Sequence, residues 1–345
     1  RSDRDWSSDV CSSDLDSFPL PGITRFISRL KPDQSQIEQI YYAIAQCEIL
    51  TIQSVQTHDK DLITSMACFA YGLPDANLVK NAYDLLNNIP PVEIPQNRIF
   101  TAGQVNKIMQ FILKEANLDD WESVIFHPMN AQISVNNIIK KIKVRKDVRL
   151  SQEDIIRLLI HEIGVHILRF ENGKNQPIQL FKGGFFKYLN TEEGLAVFCE
   201  EKYGVTDNNT LRKYAGRVIA AQLALNHSFF EVLKTLTTYF DFETSFNIVM
   251  RAKRGFIDTA QPGANTKDIV YLDGFLKVKK YAKLYPQNIP ALFTGKIGIE
   301  NIDLIISLLE EKIITPPKLD PDIFAERLIN AFNIWLSHNK SLNKQ

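Results

Sequence analysis

The sequence predicts an α+β chain that is predominantly helical, with a small antiparallel sheet ahead of one buried helix. Three observations carry that expectation. Apolar residues recur at helix spacing through most of the chain, three short runs rich in β-branched residues fall between Trp121 and Lys146, and the segment after Ser151 is apolar on nearly every side. At 345 residues, 45% of them hydrophobic and 23% charged, there is material for one large core or two ordinary ones.

The first fifteen residues, RSDRDWSSDVCSSDL, are rich in Ser and Asp and show no apolar periodicity. They resemble translated sequencing-adapter read-through, are expected to be disordered, and carry no fold reasoning. From Ile23 to Ala116 the pattern is helical: Ile37, Ile40, Tyr41, Ile44 and Ala45 recur at helix spacing, and so do Leu78, Ala82, Leu85 and Leu86. Residues 16–118 are therefore expected to form an N-terminal helical subdomain. One of its helices should stop before Pro90-Pro91, because paired prolines remove donors and push the preceding residue out of the helical region.

Residues 119–345 are expected to form a second domain. Ser123–Phe126, Gln132–Val135 and Ile139–Val144 read as three strands of an antiparallel meander, punctuated by Pro128 and Asn136-Asn137. Ser151, with Asp154 three residues on, resembles a capping box and opens a helix running through Phe170. That helix carries Ile155, Ile156, Leu158, Leu159, Ile160, Ile163, Val165, Ile167 and Leu168, so it belongs inside the protein rather than on its surface. Beyond Asn190 the chain again reads as mainly helical.

Lys+Arg and Asp+Glu both number 40, so no overall field draws the chain to nucleic acid or to an anionic membrane. No run approaches the roughly 20 consecutive apolar residues of a membrane span. Outside the adapter-like segment the cysteines are Cys47, Cys68 and Cys199, widely spaced and odd in number, which fits neither a disulfide framework nor a CxxC metal site. A reducing cytoplasm is the expected compartment; the oligomeric state is not legible.

Chemistry concentrates in His161-Glu162-Ile163-Gly164-Val165-His166, which puts two imidazoles and a carboxylate inside the buried helix, where polar groups are costly unless partnered. The familiar zinc-peptidase pattern HExxH spaces its histidines four apart; here they are five apart. In a regular α-helix five residues turn the two rings about 140° away from each other, too far to share an ion. One turn widened to i,i+5 geometry restores a common face, so the spacing predicts a π-like bulge or a break near Gly164, the residue that best tolerates one. A hydrolytic zinc site usually has three protein ligands, and Thr191-Glu192-Glu193-Gly194-Leu195-Ala196 supplies a further acid at the start of the next helix. The plain alternative is a chance cluster whose members satisfy each other in the core.

HEIGVHILR, followed by Asn172-Gly173, Gln176-Pro177 and EEGLA, resembles the QEGLA-motif family of metallopeptidases, whose animal relatives are the microtubule-associated tyrosine carboxypeptidases. A second block, from Arg251-Ala-Lys-Arg-Gly255 through Gly263, Thr266, Lys267 and Asp268 to Tyr271 and Gly274, is similar to another segment of that family. The resemblance implies a zincin-like catalytic core in residues 119–345, with Zn2+ on His161, His166 and Glu193 and with Glu162 as general base. Glu192 stands where the family motif has glutamine. It is expected to face solvent at a helix N-terminus, or else to accept a hydrogen bond behind the ligands.

An oxyanion needs a donor beyond the metal, and Tyr271, Arg254 and Lys267 have suitable side chains. Arg251, Lys253 and Lys267 are the candidates for a substrate carboxylate, which guanidinium groups grip bidentately. Taken singly, each has an ordinary structural reading: the basic residues as a solvated loop, Tyr271 as a core residue. The expected reaction is hydrolysis of a C-terminal peptide bond, with Ile139–Val144 pairing to an extended substrate. A zinc hydrolase of a non-peptide amide or ester, and a non-enzymatic zincin-like scaffold, are the competing readings. His58, His127, His227 and His338 lack partners at ligand spacing, and Cys199 reads as a small buried hydrophobe.

Overall fold

The computed structural model describes residues 35–92, 99–129 and 131–339. The adapter-like first fifteen residues, and the opening of the expected helical subdomain, lie outside the described residues. The described residues open with three helices: α1 (Gln36–Thr57), α2 (Lys60–Tyr71) and α3 (Ala76–Asn88). Each starts where a short polar side chain, Ser35, Asp59 or Asp75, accepts from a first-turn backbone N–H. Helix α3 stops at Ile89, which is extended just ahead of the two prolines.

A two-residue strand β1 (Phe100–Thr101) leads into α4 (Ala102–Glu115), closed at its start by a Thr101/Gln104 capping box. Strands β2 (Glu122–Phe126), β3 (Ile133–Asn136), β4 (Lys141–Arg145) and β5 (Arg149–Leu150) follow. The three longer strands are not an antiparallel meander. Their order is β2-β4-β3, with β3 antiparallel to β4 but β2 parallel to it. The reason is a non-local anchor: Ser123 donates to Asn106 at 2.7 Å and its carbonyl accepts from Gln110 at 3.2 Å, so α4 holds β2 on the far side of β4. Strand β4, whose Ile142 and Val144 are fully buried, therefore has both edges paired and cannot add a substrate strand, contrary to the expectation for Ile139–Val144. Ile138 and Ile139 lie in the exposed turn before it.

The capping box at Ser151 forms as expected, with Ser151 and Asp154 exchanging hydrogen bonds, and opens α5 (Gln152–Leu158). The helix continues as a π-helical segment, Leu159–Ile167, and ends as α6 (Leu168–Lys174). Further on are α7 (Leu180–Gly183), α8 (Tyr188–Lys202), α9 (Asn208–Ala224), α10 (Phe229–Leu236), α11 (Phe242–Ala252), α12 (Val270–Leu284), α13 (Ile302–Glu310) and α14 (Pro321–His338). The chain is thus predominantly helical with small sheets. Among the described residues no helix is long and apolar enough to cross a membrane.

Two hydrophobic clusters organise these elements. The first joins α4, β4, the π segment and α14 through residues such as Ile108, Ile112, Ile142, Ile163 and Phe332. The second joins α3, α9, α11 and α12 through Leu78, Ala82, Val218, Val249 and Leu272. Helices from before residue 118 contribute to both.

Helix α8 crosses α12 backbone to backbone. A Cβ built on Gly194 would come within 2.1 Å of the Gly274 carbonyl carbon, and one on Gly274 within 1.8 Å of the Asn190 carbonyl oxygen. The glycine of EEGLA and the last glycine of the second motif are two sides of one contact, which Asn190 reinforces by donating to Asp273 at 2.6 Å. A methyl group at either position has rigid backbone to displace. Gly274→Ala is accordingly expected to cost about 1–3 kcal/mol despite alanine's better helix propensity, read as a lower urea midpoint with an unchanged slope; a midpoint equal to wild type would show that the crossing yields easily.

Candidate metal centre

The π segment is where the i,i+5 spacing is accommodated. It brings the imidazoles of His161 and His166 to 4.9 Å between ring centroids, on one face. Gly164 is not the steric cause: a Cβ there would meet Leu159 and Leu328 at 3.6 and 3.7 Å, ordinary contact distances, and its φ is not positive. The widened turn is held instead by what the two rings bond. His161 Nδ1 is 2.7 Å from Glu200 Oε1, and His166 Nδ1 is 3.0 Å from Glu192 Oε1. When the rings are neutral and each Nδ1 donates to its carboxylate, each Nε2 carries a lone pair; the two Nε2 atoms lie 3.6 and 3.8 Å from Glu193 Oε2. One ligand atom from each of His161, His166 and Glu193 lies within 4.8 Å of the others.

Glu192 is not a solvated carboxylate. It is 3% exposed and accepts from both His166 and Arg169. Arg169 is itself fully buried, and its remaining donors reach the carbonyls of Leu292 at 2.9 Å and Ile297 at 2.6 Å. Glu200, also fully buried, is paired with Arg157 at 3.4 Å. Motif reading assigns no role to these three residues, Arg157, Arg169 and Glu200. The signal was present: Glu200 follows Glu193 by two helical turns on the same face of α8, and a charged Arg169 in an otherwise apolar helix demands a partner.

Electrostatically the cluster favours a cation. Behind the rings Glu200 is matched by Arg157 and Glu192 by Arg169, with the Lys296 charge also acting on Glu192, while Glu162 and Glu193 face the two imidazoles. Burial would lower the His161 pKa, but hydrogen bonds and charge from Glu193 and Glu200 push it up to about 10. Burial likewise lifts the Glu162 carboxyl above its usual range. Two nitrogen donors and one carboxylate, each ring braced from behind, are the donor set and the surrounding hydrogen bonding that zinc takes in hydrolytic sites, so these residues fit a divalent cation.

The cluster opens on a cleft of about 1660 Å³ lined by β3, Glu162, Glu193, Arg217, Arg251 and Tyr271, among others. The candidates of the second motif divide within it. Tyr271 stacks on Tyr214 with ring centroids 4.7 Å apart. Arg251 lines the cleft but makes a bidentate pair with Asp268. Lys253 is 2% exposed, and its ammonium donates to the carbonyls of Ala224, His227, Gln261 and Gly263 at 2.7 to 3.3 Å. It braces a loop and has no donor to offer a substrate. Arg254 and Lys267 lie along the cleft wall, half-buried. Cys199 is buried, and its thiol is pushed up to about 12, an inert small hydrophobe as expected.

The family model described as microtubule-associated tyrosine carboxypeptidase matches residues 24–344. The chain is 33% identical over 156 residues to a human protein named "Putative tyrosine carboxypeptidase MATCAP2", covering 44% of this chain and 29% of that protein. It is 32% identical over 157 residues to the mouse "Microtubule-associated tyrosine carboxypeptidase 1", covering 42% of this chain and 32% of that protein. The matched stretch thus spans about a third or less of these relatives' own length.

The Arg251–Asp268 pair sets a pH signature. Burial alone would raise the Asp268 carboxyl, but the charges of Arg251, Arg217 and Arg254 and the Arg251 hydrogen bonds hold it well below the usual carboxylate range. A group whose folded pKa is depressed stabilises fully above its unfolded value, about pH 4, and loses that contribution as the pH falls toward its folded one. Asp268→Asn should therefore cost about 1–3 kcal/mol at pH 7, discounted for the partial exposure of Arg251, and should flatten the stability curve below about pH 4. Denaturant titrations at pH 7 and pH 3 test this; a variant whose deficit is the same at both would exclude the pair as its source.

Proposed function

Because the chain belongs to the microtubule-associated tyrosine carboxypeptidase family, as the match over residues 24–344 shows, we propose that it is a zinc-dependent carboxypeptidase that hydrolyses a C-terminal peptide bond. The observation that carries this reading is the convergence of His161 Nε2, His166 Nε2 and Glu193 Oε2 beside the buried carboxylate of Glu162. Zinc held by those three atoms would supply Lewis-acid polarisation of water and of the scissile carbonyl.

The remaining roles belong to side chains. Glu162 takes the proton from the attacking water and returns it to the leaving amine; its raised pKa brings it closer to the point where it can do both. Tyr271 faces the developing oxyanion. Burial and the Glu193 charge raise its phenol well above the ordinary value, so the hydroxyl stays protonated and can donate. Glu200 and Glu192 fix the tautomer and direction of the two imidazoles. Strand β3, which among the described residues has a neighbour on one side only and lines the cleft, takes the place of Ile139–Val144 as the edge for an extended substrate. The relatives' names make a peptide ending in tyrosine the first substrate to try and the cytoplasm the compartment in which to look.

Metal content and turnover of an N-blocked peptide ending in tyrosine test the reading together. Wild type should carry about one zinc ion per chain, and His166→Ala should lose it. Glu162→Gln should keep the metal while kcat/KM falls about 10² to 10⁴-fold. Glu200→Gln should weaken zinc about 10 to 100-fold in a chelator competition. Wild-type protein that takes up no zinc removes the proposal, and cleavage of esters with no cleavage of peptides replaces it.

A further inference from the structure

A carboxypeptidase must tell a chain end from a chain interior, and the basic residues of the second motif are poorly placed to do so. Both oxygens of Asp268 are taken by Arg251, and the Lys253 ammonium is surrounded by four carbonyls. Arg254 acts electrostatically on Tyr71 and Asp268, on the side of the cleft toward α2, and is not among the charges that dominate at Tyr214 or Tyr271.

Arg217, on α9, differs from all of these. Its guanidinium carbon lies 5.2 and 4.9 Å from the ring centroids of Tyr214 and Tyr271, within cation–π reach of the stacked pair. The side chain lines the cleft, and its buried Nε has no hydrogen-bond acceptor among the described residues. A buried donor left unbonded costs free energy unless a ligand supplies the acceptor. Asp268, whose carboxylate feels the Arg217 charge, is already spent on Arg251. The same two phenols that feel Arg217 also feel Glu193, so the guanidinium and the proposed metal ligand border the same tyrosine pair.

We propose that Arg217 is the specificity residue for the free C-terminal carboxylate of the substrate, held against the Tyr214/Tyr271 pair so that it grips both oxygens while the last peptide bond lies toward Glu193. The assignment rests on the carboxypeptidase reading above. Its chemistry is that of a fork-shaped donor meeting a planar anion, and it disfavours substrates whose terminus is neutral.

The test compares an N-acetylated peptide ending in tyrosine with its C-terminal amide, by turnover and by calorimetric binding to the Glu162→Gln protein. Wild type should prefer the acid about 30 to 100-fold, the value of a charge-assisted hydrogen-bonded pair. Adding Arg217→Gln should bring the two ligands to within about threefold by weakening the acid alone, and Arg217→Lys, which keeps the charge but not the fork, should fall between. An acid preference that survives Arg217→Gln overturns the assignment. So does a wild type with no acid preference, a measurement that needs no variant to fold. If binding discriminates as expected while no peptide is hydrolysed, the hydrolase reading fails and the carboxylate clamp stands.

Discussion

Everything in this protein's candidate chemistry depends on two imidazoles being held on one face of a helix whose ordinary geometry would turn them apart. Five residues in a regular α-helix rotate the second ring about 140° from the first, and the π segment Leu159–Ile167 removes that rotation by widening the turn. A π turn is unfavourable on its own, since it opens the helix axis and loosens the backbone hydrogen bonds. It persists here because the surroundings over-determine it. Glu200 and Glu192 bond the two rings from behind, Arg157 and Arg169 fix those carboxylates, and Arg169 is locked in turn by the carbonyls of Leu292 and Ile297. These groups are buried or nearly so, and each relies on its neighbours in the network for the hydrogen bonds it makes.

That network explains why the second half of the chain must pack so closely on the first. Glu192, Glu193 and Glu200 all come from α8, and α8 is seated by a crossing in which Gly194 and Gly274 admit no side chain. The motif glycine therefore has no chemical role; it sets the distance from α12 to α8 and so the position of the carboxylate one residue before it. Asn172 and Gln176 act in the same way. Asn172 accepts from Leu319 N–H, and Gln176 bonds the Thr294 and Thr315 backbones, tying the end of α6 to the C-terminal elements. Several residues that look like site residues in a motif are joints that keep two packed layers aligned.

What the sequence disclosed and what it hid follow one physical line. Local rules were readable: the Ser151/Asp154 cap, the stop at Pro90-Pro91, the buried character of the HExxxH helix, and the widened turn that its spacing requires. Features that depend on a partner distant in the chain were not. The parallel pairing of β2 arises from Asn106 and Gln110 on α4, and a run of β-branched residues carries no information about which side of β4 it will occupy. Glu192 at a helix start would be solvated in isolation; Arg169, more than twenty residues earlier, turns it into a buried acceptor. Gly164 was assigned the distortion because glycine tolerates it, yet the space beside it would take a methyl group, so the driving force lies in the side-chain bonds and not in backbone permissiveness.

The same distinction governs the basic residues. Arg251, Lys253 and Arg254 are adjacent in sequence and look like one positive patch, but a charge is available to a ligand only if the fold has not already neutralised it. Burial forces neutralisation: Lys253, almost fully enclosed, must collect carbonyls, and Asp268, also buried, must collect a guanidinium. A cation can be left with spare donors only where aromatic faces shelter it without consuming its N–H groups, because a ring stabilises the charge and leaves the in-plane hydrogens free. Arg217 on the Tyr214/Tyr271 stack meets that condition. Its availability follows from what surrounds it in space, which is why a residue outside both motifs is better placed to receive an anion than the conspicuous cluster inside one of them.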